Sequence, residues 1–228
     1  MALNINSFKT KSTFTPMDAG TYPAVCCGVV DLGVQITAYD GKEKETSQLQ
    51  ITWEFPDELI EYNGEMKPRT MHKIYTASVN EKARLRLDLK NWRGRDFTAE
   101  ELRDFNIANV LGASCLITVT QTDKNGTVYS NVGGISKAMK GMEVKPPSKK
   151  LHFDIDDEST YPTFAELPEW VQDKINDSIT FTERGILLDR DGNKINRLSN
   201  IPVTANVQQN EEMVSAFTAV DDDTELPF

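Results

Sequence analysis

Histidine and cysteine are scarce in this chain of 228 residues, which contains two histidines and three cysteines. The histidines, His72 and His152, lie in separate regions, and no cysteine has the spacing of a metal ligand. Two of the three cysteines, Cys26 and Cys27, are adjacent, so the set makes a poor disulfide framework. We therefore expect neither a bound metal nor a cofactor.

Long apolar runs are also missing from the sequence. No segment approaches the roughly 20 apolar residues that a helix needs to cross a bilayer. Residues 1–4 lack the basic-then-apolar pattern of a signal peptide. We therefore expect a cytoplasmic protein with no membrane partner.

Recognisable catalytic motifs are absent as well. We find no serine or cysteine motif with a plausible histidine partner, no Gly-rich phosphate loop and no cluster of histidine with carboxylates. The pair Asp156 and Asp157 could hold magnesium in a nuclease, but it lies in an acid-rich segment where solvated charge is the default. The sequence therefore favours a binding protein over an enzyme.

The net charge of −10 is distributed unevenly along the chain. Residues 1–150 contain 20 Lys and Arg against 18 Asp and Glu, whereas residues 151–228 contain 5 against 17. Residues 67–95 alone carry nine basic and two acidic side chains. Because a basic surface attracts phosphates and an acidic tail is repelled by them, this asymmetry favours a body that binds a polyanion.

Alternating apolar residues and turn signals predict five strands, at residues 21–37, 48–55, 69–76, 114–122 and 127–135. The second is the clearest, because its residues at positions 49, 51, 53 and 55 are all apolar and share one face. Glycines at positions 28 and 33 indicate a bend in the first strand. Loops are expected at 56–57 and 63–64, and Asn125-Gly126 indicates a hairpin between the last two strands.

Two capping boxes, Ser78–Glu81 and Thr98–Glu101, predict helices between the third and fourth strands. In the first helix Leu85, Leu89 and Trp92 form a core-facing stripe, while basic residues share another face, namely Lys82, Arg86, Lys90 and Arg93. This order of elements is the connectivity of the OB-fold, whose strands 2–3 and whose loops 1–2 and 4–5 bind oligonucleotides. The predicted fold is therefore mainly β, an OB-fold-like five-stranded barrel with a helical insertion between strands 3 and 4.

Composition divides the chain into three parts. Residues 1–150 form the predicted OB-fold nucleic-acid-binding domain, and the stiff Pro146-Pro147 follows its last strand. Residues 151–204 form a short α/β extension, with a helix that is apolar at positions 171, 175 and 179 and a hairpin tip at Asp189–Asn193. The extension either packs on the barrel or mediates self-association, and the second alternative implies a homo-oligomer. Residues 205–228 are predicted to be a disordered, flexible acidic tail.

Binding of an unpaired strand needs cations along the phosphates and flat rings that stack the bases, each stack contributing about 1–3 kcal/mol. On the third strand Arg69, Lys73 and Tyr75 share one face, and on the fifth Tyr129 lies opposite the apolar face. Basic side chains of loops 1–2 and 4–5, of the first helix and of the segment after the last strand complete the candidate site. The alternative is that the tyrosines are half-buried packing residues and the lysines ordinary surface.

The two tryptophans of the predicted body, Trp53 and Trp92, lie in apolar stripes, so we assign them to the core and not to base stacking. The candidate DNA-binding residues are Lys42, Lys44, Arg69, Lys73, Tyr75, Arg86, Lys90, Arg93, Lys124, Tyr129, Lys137 and Lys140.

Residues 221–228 form an Asp-rich run that continues into Leu-Pro-Phe. An aromatic residue can fill a small pocket while carboxylates contact a basic rim, which suits docking on another protein. The segment resembles the C-terminal tip of bacterial and phage single-stranded DNA-binding proteins, although Thr224 interrupts the acidic run here. In that family the tip recruits replication and repair proteins, which implies partner-binding residues at Asp221, Asp222, Asp223, Glu225, Leu226, Pro227 and Phe228. A frayed acidic terminus is the alternative interpretation.

Two hypotheses from different classes follow. The first is a sequence-independent single-stranded DNA-binding protein of DNA replication, recombination and repair, encoded by a phage and present in the host cytoplasm. Its tail would compete weakly for the basic groove and recruit partner enzymes. The second is an acidic protein-binding adaptor or DNA mimic without nucleic-acid affinity. The net charge favours the second, but a mimic has no need of the basic segment 67–95.

Overall fold

The computed structural model describes residues 15–39, 41–62 and 64–196, and the predicted tail at 205–228 lies outside them. The strands are β1 (Gly20–Tyr39), β2 (Lys42–Tyr62), β3 (Glu65–Thr76), β4 (Ser114–Lys124), β5 (Thr127–Lys137), β6 (Leu151–Phe153), β7 (Ile186–Leu188) and β8 (Lys194–Asn196). The helices are α1 (Arg84–Arg93), α2 (Ala99–Arg103), α3 (Glu169–Asn176) and α4 (Ile179–Glu183), with 3-10 turns at Ile107–Val110 and Glu158–Glu166. None of these helices is both long and apolar enough to cross a membrane.

The main sheet is antiparallel in the order β3-β2-β1-β4-β5, and β6 pairs with β1 in parallel. The mainly β prediction and the placement of helices between strands 3 and 4 are confirmed. The sheet is not a closed barrel, however, because β3 and β5 are its two ends and no ladder joins them within the described ranges. Residues 15–17 accept hydrogen bonds from both edge strands: Arg69 of β3 donates to the Thr15 carbonyl, and Ser130 of β5 donates to the Met17 carbonyl.

Strand β1 bends at its glycines, as the sequence predicts. Its register against β2 shifts between Cys26 and Gly28 and again between Asp31 and Gly33. Gly33 has a φ of +69°, and a Cβ at this position would lie 2.7 Å from Ile155 Cδ1. A side chain would be strained there by both the backbone and the neighbouring extension.

Strand β2 extends well beyond its predicted end at residue 55. A register shift between Phe55 and Leu59 takes up the predicted loop at 56–57, so the strand continues to Tyr62. Beyond Glu54 its ladder partner among the described residues is β3 alone, since β1 begins its pairing with β2 at Val25 opposite Glu54. Residues 59–62 and 65–68 therefore extend beyond β1 as a two-stranded ribbon, the β2–β3 arm.

The first hydrophobic core lies between the sheet and α1. The apolar face of β2 is buried as predicted, and Trp53 packs against Trp92 with 5.9 Å between ring centroids. The capping box predicted at Ser78–Glu81 is wrong: α1 begins at Arg84, after an N-cap residue that makes no side-chain hydrogen bond. Ser78 instead accepts from the backbone N–H of Asn80, a local turn that competes with helix initiation. The second box, Thr98–Glu101, is confirmed at the start of α2.

The extension packs on the other face of β1 and forms a second core. Val30 and Leu32 of β1 are buried there with extension residues that include Phe153, Phe164 and Phe181. The extension is expected either to pack on the body or to mediate self-association, and packing on the body is observed. The predicted helix is split in two, because Ser178 caps a separate helix by accepting from the N–H of Phe181. The hairpin with its tip at 189–193 is confirmed.

Candidate nucleic-acid interface

The two edge strands, β3 and β5, line a common cleft of about 870 Å³. Met17, which is buried in the first core, also lines it. The cleft contains three of the sequence-predicted site residues, Arg69, Lys73 and Tyr129. We call this feature the β3–β5 cleft.

Arg69 and Lys73 are half-buried on the β3 side of the cleft, and each already has one partner in the protein. Arg69 donates from Nη1 to the Thr15 carbonyl at 2.6 Å. Lys73 Nζ lies 2.8 Å from Asp88 Oδ2. A guanidinium has five N–H donors and an ammonium three, so both groups keep donors that could contact a phosphate.

Tyr75 is predicted to stack a base, but in the structure it is buried. The side chain is 3% exposed, and its hydroxyl donates to Asp88 Oδ2 at 3.0 Å. Burial, together with the nearby Asp88 carboxylate, raises the pKa of the Tyr75 phenol well above its usual value. The residue shares the face of Arg69 and Lys73 as expected, but this is the core side of the sheet, because their partners on β2 are the buried residues Leu49, Ile51 and Phe55. Its ring therefore has no exposed face for a base.

Asp88 is a buried carboxylate that joins α1 to β3. It is 2% exposed and accepts hydrogen bonds from Lys73, Tyr75 and Arg84. The Arg84 guanidinium also donates to the Gly133 carbonyl of β5 at 3.3 Å. These four side chains, the Asp88 network, connect the two edge strands where no backbone ladder joins them in the described ranges.

Tyr129 provides an exposed ring on the β5 side of the cleft. It is 44% exposed, while Val132 on the opposite face is buried and Val128 half-buried, as the sequence predicts. The neighbouring Ser130 donates to the Met17 carbonyl at 2.8 Å, which ties β5 to the chain that precedes β1. The ring is therefore held on an anchored strand and faces away from the core.

The predicted basic face of α1 is largely neutralised by acidic neighbours. Arg86 and Lys90 both pair with Asp96, at 3.5 and 3.0 Å. Arg93 pairs with Glu101 at 2.7 Å. Hydrogen bonds from arginines hold the pKa of Glu101 well below its usual range, and the Lys90 ammonium lowers that of Asp96. None of the three cations lines the β3–β5 cleft.

Arg93, Lys137 and Lys140 instead line a second groove of about 710 Å³ beside Trp92 and Met139. Lys137 is the last residue of β5, and its side chain packs against the turn after α1, where a Cβ at Gly94 would be 2.9 Å from its Cδ. These cations and those of β3 are predicted to form one site, whereas in the structure they line two separate grooves.

The hairpin lysines lie outside both grooves. Lys42 and Lys44 are exposed on β2 near the β1–β2 turn, where they lie opposite Tyr39 and Thr37 in the strand ladder. Lys124 is exposed at the end of β4, opposite Thr127. These side chains are available at the surface, but they line neither of the two grooves.

Two residues of the cleft, Tyr62 and Lys67, were missed by the sequence argument. Both line the cleft, and Lys67 Nζ lies 5.7 Å from the centroid of the Tyr62 ring. The predicted second strand ends at residue 55 and is followed by a predicted loop at 63–64. The Asn-Gly dipeptide at 63–64 is the same hairpin signal as the one at 125–126. A hairpin at 63–64 extends the strands on both sides and places Tyr62 beside the cleft.

Within residues 15–39, 41–62 and 64–196, no three His, Cys, Asp or Glu side chains are arranged to hold a metal ion. Comparison of the chain with models of known protein families gave no match, and neither did a search of curated proteins. The function is therefore inferred from the chemistry of the cleft.

Proposed function

We propose that this protein binds single-stranded DNA without sequence preference and holds the strand in the β3–β5 cleft. The observation that carries the proposal is the exposed Tyr129 ring in one cleft with the cations Lys67, Arg69 and Lys73. Base stacking on an aromatic ring tolerates any base, and cations beside it can follow the phosphates. A duplex offers no free base faces to such a ring, so an unpaired strand is the ligand that fits.

We also propose that the body is an OB-like barrel left open between β3 and β5. The OB-fold is itself a partly open five-stranded barrel. The pairing of β1 with both β2 and β4 supports the assignment, as does the position of α1 between β3 and β4 in the chain. The Asp88 network lies beside the opening, where strand edges would otherwise pair.

The acidic segment 221–228, outside the described residues, is proposed to recruit proteins of DNA replication or recombination. Residues 205–228 contain six acidic and no basic side chains, so they are repelled by DNA phosphates. Such a segment would stay available to a basic protein surface while the cleft is occupied.

The proposal is tested by titrating the full chain into labelled oligo-dT, a matched duplex and a matched RNA, and by following fluorescence anisotropy at several salt concentrations. We expect oligo-dT to bind far more tightly than the duplex, with an affinity that falls steeply as salt rises because counterions are released. Absence of oligo-dT binding at low salt would contradict the proposal.

An adaptor or DNA mimic is the second candidate, and the ion pairs favour it. Seven of the nine basic residues at 67–95 pair with an acidic side chain, which reduces the positive field expected from the sequence. A mimic would bind none of the three nucleic acids. It would instead compete with DNA for a basic site on another protein.

A further inference from the structure

We infer that Tyr62 is a second base-stacking residue of the β3–β5 cleft, so that the cleft takes two unstacked bases of one strand, one at Tyr62 and one at Tyr129. This inference rests on the proposed function of the cleft. It extends that function by naming a residue and by setting the ligand as an oligonucleotide with at least two unpaired bases.

The exposure of Tyr62 is the first observation. Tyr62 is 62% exposed, and it shares a face of the arm with Ile60, Glu65 and Lys67. Leu59 and Met66 are also exposed, but they lie on the opposite face because they pair with Pro68 and Glu61, respectively. The Tyr62 ring is therefore open to a ligand on the side of the arm that carries Lys67.

The backbone of the β2–β3 arm explains why Tyr62 is exposed. Beyond Glu54 the arm has no β1 neighbour in the described ranges, and Tyr62 pairs with Glu65 next to the turn. Side chains two residues apart share a face of a strand. Ile60 and Tyr62 accordingly both line the cleft, with Lys67, which pairs with Ile60 on the partner strand. The arm therefore holds the Tyr62 ring at the edge of the cleft.

Lys67 gives the Tyr62 ring a positive neighbour. Its Nζ lies 5.7 Å from the ring centroid and 2.9 Å from Glu65. The Lys67 side chain remains 51% exposed. Because this ammonium lies over one face of the ring, a base would stack on the other face. Tyr129 lines the same cleft as the β3 cations Arg69 and Lys73.

Affinity measurements on Tyr62→Ala, Tyr62→Phe and Tyr129→Ala test the inference, with Met139→Ala as the control. Met139 matches Tyr62 in exposure, at 62%, but lines the other groove. Loss of one stacked base corresponds to roughly 5- to 150-fold in affinity. We expect Tyr62→Ala to weaken oligo-dT binding by such a factor, while Tyr62→Phe and Met139→Ala bind like the wild type.

Binding to an abasic strand of the same length distinguishes a loss of base stacking from a structural change in the cleft. Tyr62→Ala should bind this abasic strand as the wild-type protein does, and its salt dependence on oligo-dT should be unchanged because no phosphate contact is removed. Equal oligo-dT affinity of Tyr62→Ala and the wild type, with a weakened Tyr129→Ala, would overturn the inference and leave the proposed function intact. An equal loss on both strands would make Tyr62 a structural residue and also overturn it. Failure of the wild type to bind any oligonucleotide would instead refute the proposed function.

Discussion

Arg84 pairs with Asp88 one turn further along α1, with 3.0 Å between Nε and Oδ1, and the same guanidinium donates to Gly133 on β5. Asp88 also accepts from Lys73 and Tyr75 of β3. We predict that Asp88→Ala costs about 3 kcal/mol in the free energy of unfolding, because it leaves the buried Tyr75 hydroxyl and the partly buried Lys73 ammonium without their acceptor. Urea unfolding followed by circular dichroism measures this cost.

The matched control is Asp96→Ala, which removes an exposed carboxylate that pairs with Lys90 and Arg86. Ion pairs at the surface contribute little, so we expect a cost below about 1 kcal/mol. Equal costs for the two variants would show that the Asp88 network does not hold the edge strands.

Tyr129 and Tyr75 should respond in opposite ways to substitution. Tyr129→Ala removes the exposed ring, and we expect oligo-dT to bind roughly 5- to 150-fold more weakly, with unchanged stability. Tyr75→Phe removes a buried hydrogen bond to a carboxylate, and we expect a loss of about 1.5–3 kcal/mol in stability with unchanged affinity. Anisotropy titration measures the affinity of both variants, and urea unfolding measures their stability. Weakened binding by Tyr75→Phe with unchanged binding by Tyr129→Ala would contradict the proposed stacking on β5.

Removal of a cleft cation should change the salt dependence of binding. Each phosphate contact of a single strand contributes about −0.7 to the slope of log K against log salt. We expect Arg69→Ala to reduce the steepness of the slope by about this amount. Lys174→Ala, on α3 of the extension, should leave it unchanged. An unchanged slope for Arg69→Ala would exclude this residue from the phosphate path.

The sequence predicted those parts of the fold that depend on local signals. The buried face of residues 49–55, the Asn125-Gly126 hairpin and the Thr98–Glu101 box all appear as expected, because each is specified within a few neighbouring residues. Strand alternation also predicts which residues of β3 and β5 share a face, and Arg69, Lys73 and Tyr129 line one cleft in the structure.

The remaining errors come from contacts between distant parts of the chain. The burial of Tyr75 depends on Asp88, which approaches from a helix after β3. The neutralisation of Arg93 depends on Glu101 in the next helix. The open edge of the sheet is contacted by Thr15 and its neighbours, whose position has no local signal in the sequence.

The three cysteine thiols should be unreactive in the folded protein. All three are buried, and burial raises the pKa values of Cys26 and Cys27 to about 12 and that of Cys115 as well. We predict that iodoacetamide near pH 8.5 modifies none of them until the chain is unfolded in urea, as measured by mass spectrometry. Labelling of the folded chain at the rate of the unfolded chain would contradict this.

The same thiols make stability depend on alkaline pH. Their folded pKa values lie above the ordinary value of 9.0, so the unfolded state loses these protons first as pH rises. The contribution of the thiols to stability is therefore complete below pH 9 and is lost progressively between pH 9 and about 12. Substitution of Cys26 by Ala should reduce this alkaline loss in urea unfolding experiments.

Deletion of residues 221–228 should separate DNA binding from partner capture. The segment contains four acidic side chains, so its removal should preserve or tighten binding to oligo-dT while partner proteins are no longer retained on the immobilised chain. The double variant Glu211→Gln and Glu212→Gln removes acidic charge but keeps the tip, and it should retain the partners. Unchanged capture after the deletion would exclude the tip as the docking segment.

The most direct test of the account is photo-cross-linking of the full chain to oligo-dT that contains 5-bromouracil, followed by peptide mapping. We predict adducts on β3, on β5 and on the β2–β3 arm, with Tyr129 among the modified residues and the cross-links suppressed by salt. Adducts confined to the extension at 151–196, or an absence of specific adducts at low salt, would contradict the assignment of the β3–β5 cleft as a single-strand binding site.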